Sequence, residues 1–210
     1  MYRCEATTVG GFVQQLAVAY VQHGYWFYVT GEIPERKCPH AVDQKLIDRY
    51  EIEISKWSRA RRKQSGRANV QYIRCGRFFV LIATRGEHHF FEDEPTFRDI
   101  RREPLSFAGY SISYKLGVDR KWHVSVRIHP TEYLKLKAYF LDLATRRSVE
   151  KLMPEFQRIP FEPYAPVRRQ FLNILRAVNR ERKRAGYKLV PLEALRLRRR
   201  VLKPFRDSNG

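Results

Sequence analysis

Residues 78–83 read Phe-Phe-Val-Leu-Ile-Ala, an apolar run with no polar interruption. A strand with one wet face alternates; a strand that does not alternate is covered on both faces. Residues 69–74 form a second strand-like run just before it. Cys75-Gly76 stands between them, and a residue-glycine pair between two such runs marks a tight hairpin. The fold must therefore hold a central strand with helices packed on its sheet. Residues 25–33 supply a further strand, aromatic and β-branched and closed by Pro34. Val9, Phe12, Val13, Leu16 and Tyr20 recur at spacings of three and four, which predicts a helix ending before Gly24. Val42, Leu46 and Ile47 predict another over residues 39–50.

Downstream, the acid-rich residues 87–103 read as a loop, and strand character returns at 110–116 and 122–129 around a turn at 117–121. Pairing these two runs sets Ile112 near Val126 and Tyr114 near Val124. Ser111, Ser113, Lys115, His123, Ser125, Arg127 and His129 then share an entirely polar opposite face. Pro130 opens a helix carrying Tyr133, Leu136, Lys137, Phe140 and Leu143. Pro154, Pro160, Pro163 and Pro166 punctuate a non-helical linker, and helical character resumes at Val167 and stops at Gly186. Residues 192–205 mix two periods and fix no structure, and residues 206–210 read as a frayed end. The expected class is α+β: an antiparallel sheet of about five strands with packed helices and a basic helical C-terminal part. In domain terms this gives a sheet domain over 1–153, a Pro-rich linker over 154–166 and a basic helical segment over 167–210.

The charge balance points to the partner. Forty-one Lys and Arg against twenty-two Asp and Glu give the 210 residues a formal charge of +19. With 43% hydrophobic and 13% aromatic residues, the chain folds rather than forming a disordered basic tail. Self-repulsion on this scale is relieved by a polyanion, so nucleic acid is the expected partner, alone or in a nucleoprotein complex with protein. RNA is slightly favoured over DNA because the sheet carries Tyr and Trp side chains suited to unstacked bases. No run of about 20 apolar residues predicts a membrane span. The apolar stretch at 12–21 is broken by Gln14 and Gln15 and lacks a cleavage signature, so it does not read as a signal peptide. Cys4, Cys38 and Cys75 are few, odd in number and lack close spacing, which suits a reducing cytoplasm and predicts neither metal site nor cofactor.

Five places could carry function. On the helix from Val167, Arg169, Arg176, Arg180 and Lys183 fall within about 60° of one another, with Val167, Phe171, Ile174 and Val178 opposite. Such an arginine stripe suits a phosphate backbone. Residues 55–67 gather Lys56, Arg59, Arg61, Arg62, Lys63 and Arg67 around Trp57, in a window without acid from Ser55 to Gly86. Arg196, Arg198, Arg199, Arg200 and Lys203 make a third cluster. Arg127 lies on the polar hairpin face with His123 and His129, which are about 20 Å apart at about 3.3 Å per residue and cannot share a metal ion. His88 and His89, adjacent, point to opposite sides of an extended backbone, in an acidic loop with Glu87, Glu92, Asp93 and Glu94.

The alternative to a binding protein is a DNA-processing nuclease or transposase-like protein of a mobile element, and a third reading is a structural component of a ribonucleoprotein. Two-histidine, tyrosine-nucleophile enzymes need His-apolar-His on a strand. This chain offers His123-Val124-Ser125, so one ligand is missing, although Tyr133 and Tyr139 follow on a helix. No P-loop, H-E-x-x-H or G-x-S-x-G pattern occurs.

Overall fold

The computed structural model describes residues 2–205, and the expectation of a frayed end at 206–210 falls outside them. In chain order the elements are α1 (Val9–Gln14), β1 (Tyr25–Glu32), α2 (Pro39–Arg49), α3 (Lys56–Gln64), β2 (Val70–Cys75), β3 (Phe78–Thr84) and α4 (Phe90–Asp93). Then come β4 (Arg98–Asp99), β5 (Leu105–Phe107), β6 (Tyr110–Leu116), β7 (Trp122–Ile128), α5 (Pro130–Arg146), α6 (Val149–Gln157) and α7 (Ala165–Arg184). The class is mixed α+β with two antiparallel sheets. Where the sequence suggests about five strands, seven occur among the described residues, in a four-stranded sheet of order β2-β3-β1-β4 and a three-stranded sheet of order β5-β6-β7. Strands β4 and β5 are two and three residues long, too short for alternation to register, and the acid-rich stretch read as loop contains both β4 and the single turn α4.

The chain divides into two compact units. Of the described residues, one holds 2–105, Ile112–Val124 and 202–205; the other holds Ser106–Ser111 and Ser125–Val201. This division differs from the sequence-based one, because the β6–β7 hairpin is shared: its outer part belongs with the first unit and its base with the second.

In the first unit, β3 lies between β2 and β1, and Val80, Leu81, Ile82 and Ala83 are all buried, as the unbroken run requires. On one face Leu81 and Ala83 join Val70, Tyr72, Ile47, Tyr50, Ile52 and Phe90 in a single cluster. Toward the other, Phe78 meets Phe12 of α1 edge-on at 5.9 Å. The β2–β3 turn pairs Cys75 with Phe78 and has positive φ only at Gly76, the pattern of a II′ hairpin with glycine first. Gly31 stands opposite Phe79 in the register, and a Cβ there would lie 2.4 Å from the Phe79 ring. Beyond Gln14 the first helix continues as a π-helical turn (Gln15–Tyr20) and a 3-10 turn (Val21–His23) and stops at Gly24, where the sequence placed its end.

In the second unit α5 packs against α7, and Phe140 of α5 stacks on Phe156 of α6 at 4.0 Å. Residues 154–166 are not the non-helical linker read from their prolines. Pro154 lies inside α6, and Phe156, Ile159 and Phe161 are buried, Phe161 meeting the Tyr110 ring edge-on at 5.0 Å. A proline inside a helix costs about 3 kcal/mol, roughly what one fully buried Phe side chain contributes. The C-terminal part is helical only through Arg184; beyond it Leu192–Ala194 form one 3-10 turn.

Candidate nucleic-acid interface

Helix α7 is fixed by its apolar side. Val167, Phe171, Ile174, Leu175 and Val178 are buried, and Gln170 binds β7 through both of its amide atoms, accepting from the Ile128 N–H (2.9 Å) and donating to the Ile128 carbonyl (3.1 Å). With that side committed, Arg169, Arg176, Arg180 and Lys183 are exposed. Arg182 is the exception on this helix. It is buried and donates to the carbonyls of Lys188 (2.6 Å), Ala144 (2.5 Å) and Arg147 (2.8 Å), so its charge ties α7 to its neighbours.

Helix α3 buries none of its residues and begins at a capping Ser55, whose hydroxyl accepts from the Ser58 N–H (3.0 Å). Trp57 is 80% exposed, so it is no core anchor. The basic residues around it divide. Arg59 donates to the Ile52 carbonyl (2.9 Å) and Arg62 pairs with Glu51, whereas Lys56, Arg61, Lys63 and Arg67 are exposed. The third cluster divides in the same way. Arg196 pairs with Glu162 (3.1 Å), and the Arg199 guanidinium lies 4.9 Å from the Tyr164 ring centre, while Arg198 and Arg200 are exposed without side-chain partners among the described residues.

The β6–β7 ladder is closed by the bond from Gly117 N–H to the Lys121 carbonyl (2.7 Å) and ends with His129 N–H to the Gly109 carbonyl (2.7 Å), the register expected from the sequence. Its polar face is not uniformly open, however: Ser113 and Ser125 are buried, and Arg127, exposed, donates to the Ser125 hydroxyl (3.2 Å). His123 sits against Asp119 (2.8 Å), whose carboxyl is held below its ordinary range by that hydrogen bond.

His88 and His89 do not point apart. His89 has helical backbone angles rather than extended ones, and the two rings stack at 4.3 Å. The Phe90 N–H donates to His88 Nδ1 (3.0 Å), and burial, with help from the neighbouring His89, pushes the His88 pKa down. Among the described residues no group of three or more His, Cys, Asp or Glu is arranged to hold a metal ion. The two tyrosines are poorly placed as nucleophiles. Tyr139 is hydrogen-bonded to Glu155 (2.9 Å), which raises its pKa, and burial raises that of Tyr133; both shifts disfavour the phenolate.

Sequence reasoning passed over one polar cluster, in the first unit. Asp43 of α2 is buried and accepts from the Tyr72 hydroxyl (2.7 Å) and from Arg74 Nε (2.8 Å), and Arg74 also reaches Glu5 (2.9 Å) and the Gly76 carbonyl (3.0 Å). It borders a cavity of about 500 Å³ lined also by Cys4 and His40. Burial, with Asp43 adding to it, pushes the Cys4 thiol up to about 12, so it is not a reactive thiolate. With these donors and acceptors matched to one another, the cluster acts as an internal clamp between the N-terminal segment, α2 and β2. A lone polar residue every other position on a strand gives no signal of such a partner.

No family model, curated protein or solved structure matches this chain.

Proposed function

We propose that this chain is a nucleic-acid-binding protein, RNA slightly favoured over DNA, that engages the phosphate backbone through exposed arginines and lysines. One observation carries the reading: α7 commits its apolar side to the core and turns Arg169, Arg176, Arg180 and Lys183 to solvent. At about 1.5 Å per residue these cations are spaced some 5 to 10 Å along the axis, a spacing suited to successive phosphates. Solvated faces usually mix signs, and Glu181 is the only acid between Val167 and Gly186. The exposed Trp57 among Lys56, Arg61 and Lys63 supports the same reading on α3. Three free cysteines suit a cytoplasmic setting.

A salt titration of a labelled oligonucleotide tests it. The log-log slope of affinity against salt should be steep, roughly −0.7 to −0.9 per phosphate contacted. Replacing Arg169, Arg176 and Arg180 together by Glu should abolish binding while the far-ultraviolet circular dichroism stays that of the wild type. An affinity independent of salt overturns the reading; a triple variant that folds and binds normally reduces the α7 stripe to a solvated face and moves the contacts to the basic residues around Trp57 or to Arg196 to Lys203. No observation favours strand cleavage, and incubation with divalent cations and single- or double-stranded substrate should leave both intact.

A further inference from the structure

The outer part of the β6–β7 hairpin carries a column of planar groups that the fold leaves open at one end. Arg101 is held by both carboxylate oxygens of Asp99, the closest bond at 2.6 Å, and its guanidinium lies 4.5 Å from the Trp26 ring centre. Trp26 stacks on Tyr114 (5.5 Å, 25° between planes), and Tyr114 stacks on Trp122 (5.6 Å, 21°). Ile100 aligns the column, donating its N–H to the Trp26 carbonyl (2.9 Å) and accepting from the Tyr114 N–H (3.5 Å). The hairpin register makes Tyr114 and Trp122 diagonal neighbours on one face, a pairing within reach of aromatic side chains.

The column stops at Trp122, covered on one side by Tyr114 and still 46% exposed, beside a tip where Val118 is fully exposed. Arg120 and Lys121 are exposed there, and their side chains have no hydrogen bond or ion pair among the described residues. Asp119, the one acid between Lys115 and His123, is turned onto His123. An open indole backed by a rigid stack and flanked by unpaired cations is the combination that stacks a base and holds its phosphates.

We propose that Trp122 is a stacking platform for an unpaired base of a single-stranded nucleic acid, with Arg120 and Lys121 on the flanking phosphates. The inference rests on the nucleic-acid reading above and adds the substrate class, since a duplex keeps its base faces stacked internally. Arg101 and Asp99 act as positioning residues that stiffen the column.

The test compares three labelled probes on the full chain: a short homopolymer of dT or rU, an abasic strand of the same length, and a duplex. The wild type should bind the strand with bases about five- to a hundredfold more tightly than the abasic strand. That preference should vanish in Trp122→Leu and survive in Trp122→Tyr, with duplex affinity unmoved in both and thermal melts recorded for each. Comparing dT with rU separates DNA from RNA. The proposal is overturned if Trp122→Leu keeps the preference, or if it weakens all three probes by one factor. Wild type that binds all three equally removes the platform alone; wild type that binds none removes the phosphate-binding reading as well. Should Trp122→Leu fail to fold, the wild-type comparison of intact with abasic strand decides.

Discussion

Helices α3 and α7 carry similar runs of arginine and lysine, yet they are attached to the protein by opposite parts of their sequences. Five buried apolar side chains hold α7, so the exposed Arg169, Arg180 and Lys183 are not needed to hold it. Nothing on α3 is buried, and its attachments are its own polar groups: Arg59 to the Ile52 carbonyl, the Arg59 carbonyl to the Asn69 amide (3.0 Å), and Arg62 to Glu51. Equal charge in the sequence therefore has unequal meaning. On α7 the apolar side chains that hold the helix are separate from its exposed cations; on α3 some cations hold the helix and others are exposed.

The largest effect expected on either helix is at the apolar anchor of α7. Phe171→Ala should cost about 3 to 5 kcal/mol in chemical denaturation, because the cavity left under the helix cannot close fully. A cost below about 1 kcal/mol would mean that α7 is held by its polar contacts after all, and the contrast with α3 would disappear.

Next comes the buried arginine. Arg182→Ala should cost about 2 to 3 kcal/mol, since three carbonyls lose a charged donor. Arg180→Ala, two residues away and exposed, should stay within about 0.5 kcal/mol and lower the salt slope of nucleic-acid binding instead. Two arginines on one helix would thus divide cleanly between stability and binding.

On α3 the expected penalties are smaller. Arg59→Ala should destabilise by about 1 to 2 kcal/mol through loss of the Ile52 carbonyl bond, and Arg61→Ala by no more than about 0.5 kcal/mol. If the two variants melt together, the cations of α3 are not its attachments.

The smallest effects are expected on the hairpin. His123→Ala and Arg127→Ala, both exposed, should shift stability by about 0.5 kcal/mol or less in the same denaturation experiment. A larger loss at Arg127 would show that its bond to Ser125 carries more than a surface contact.

What the sequence made legible follows from local repetition. The faces of α7, the strand buried on both sides, the β2–β3 turn and the β6–β7 register are periodic or turn signals confined to neighbouring residues, and each is found where expected. Helix α6 was not legible, because Pro154 disfavours it locally and the burial of Val149, Leu152 and Phe156, the last stacked on Phe140 of another helix, works against that cost. The histidine pair failed as a reading for a similar reason: an extended backbone was assumed, and the turn into α4 brings the rings side by side. At the hairpin the polar face drew attention, yet two of its serines are buried, and the open aromatic ring lies on the apolar face.

By itself, then, the sequence determined which side of α7 is buried, how the β6–β7 hairpin pairs, and how strongly positive the chain is, since all three depend on residue identity and on repeats of 2 or about 3.6 residues. Only the tertiary structure decided which cations remain available. Arg59, Arg62, Arg74, Arg182 and Arg196 are as basic in the sequence as Arg169 or Lys183, but each ends on a carbonyl or carboxylate supplied from elsewhere in the chain. A long flexible arginine finds its partner through space, and no local period records where that partner will be. The same holds for Trp122, whose stack is assembled from Tyr114, Trp26 and Arg101 on three separate segments, and which is left 46% exposed.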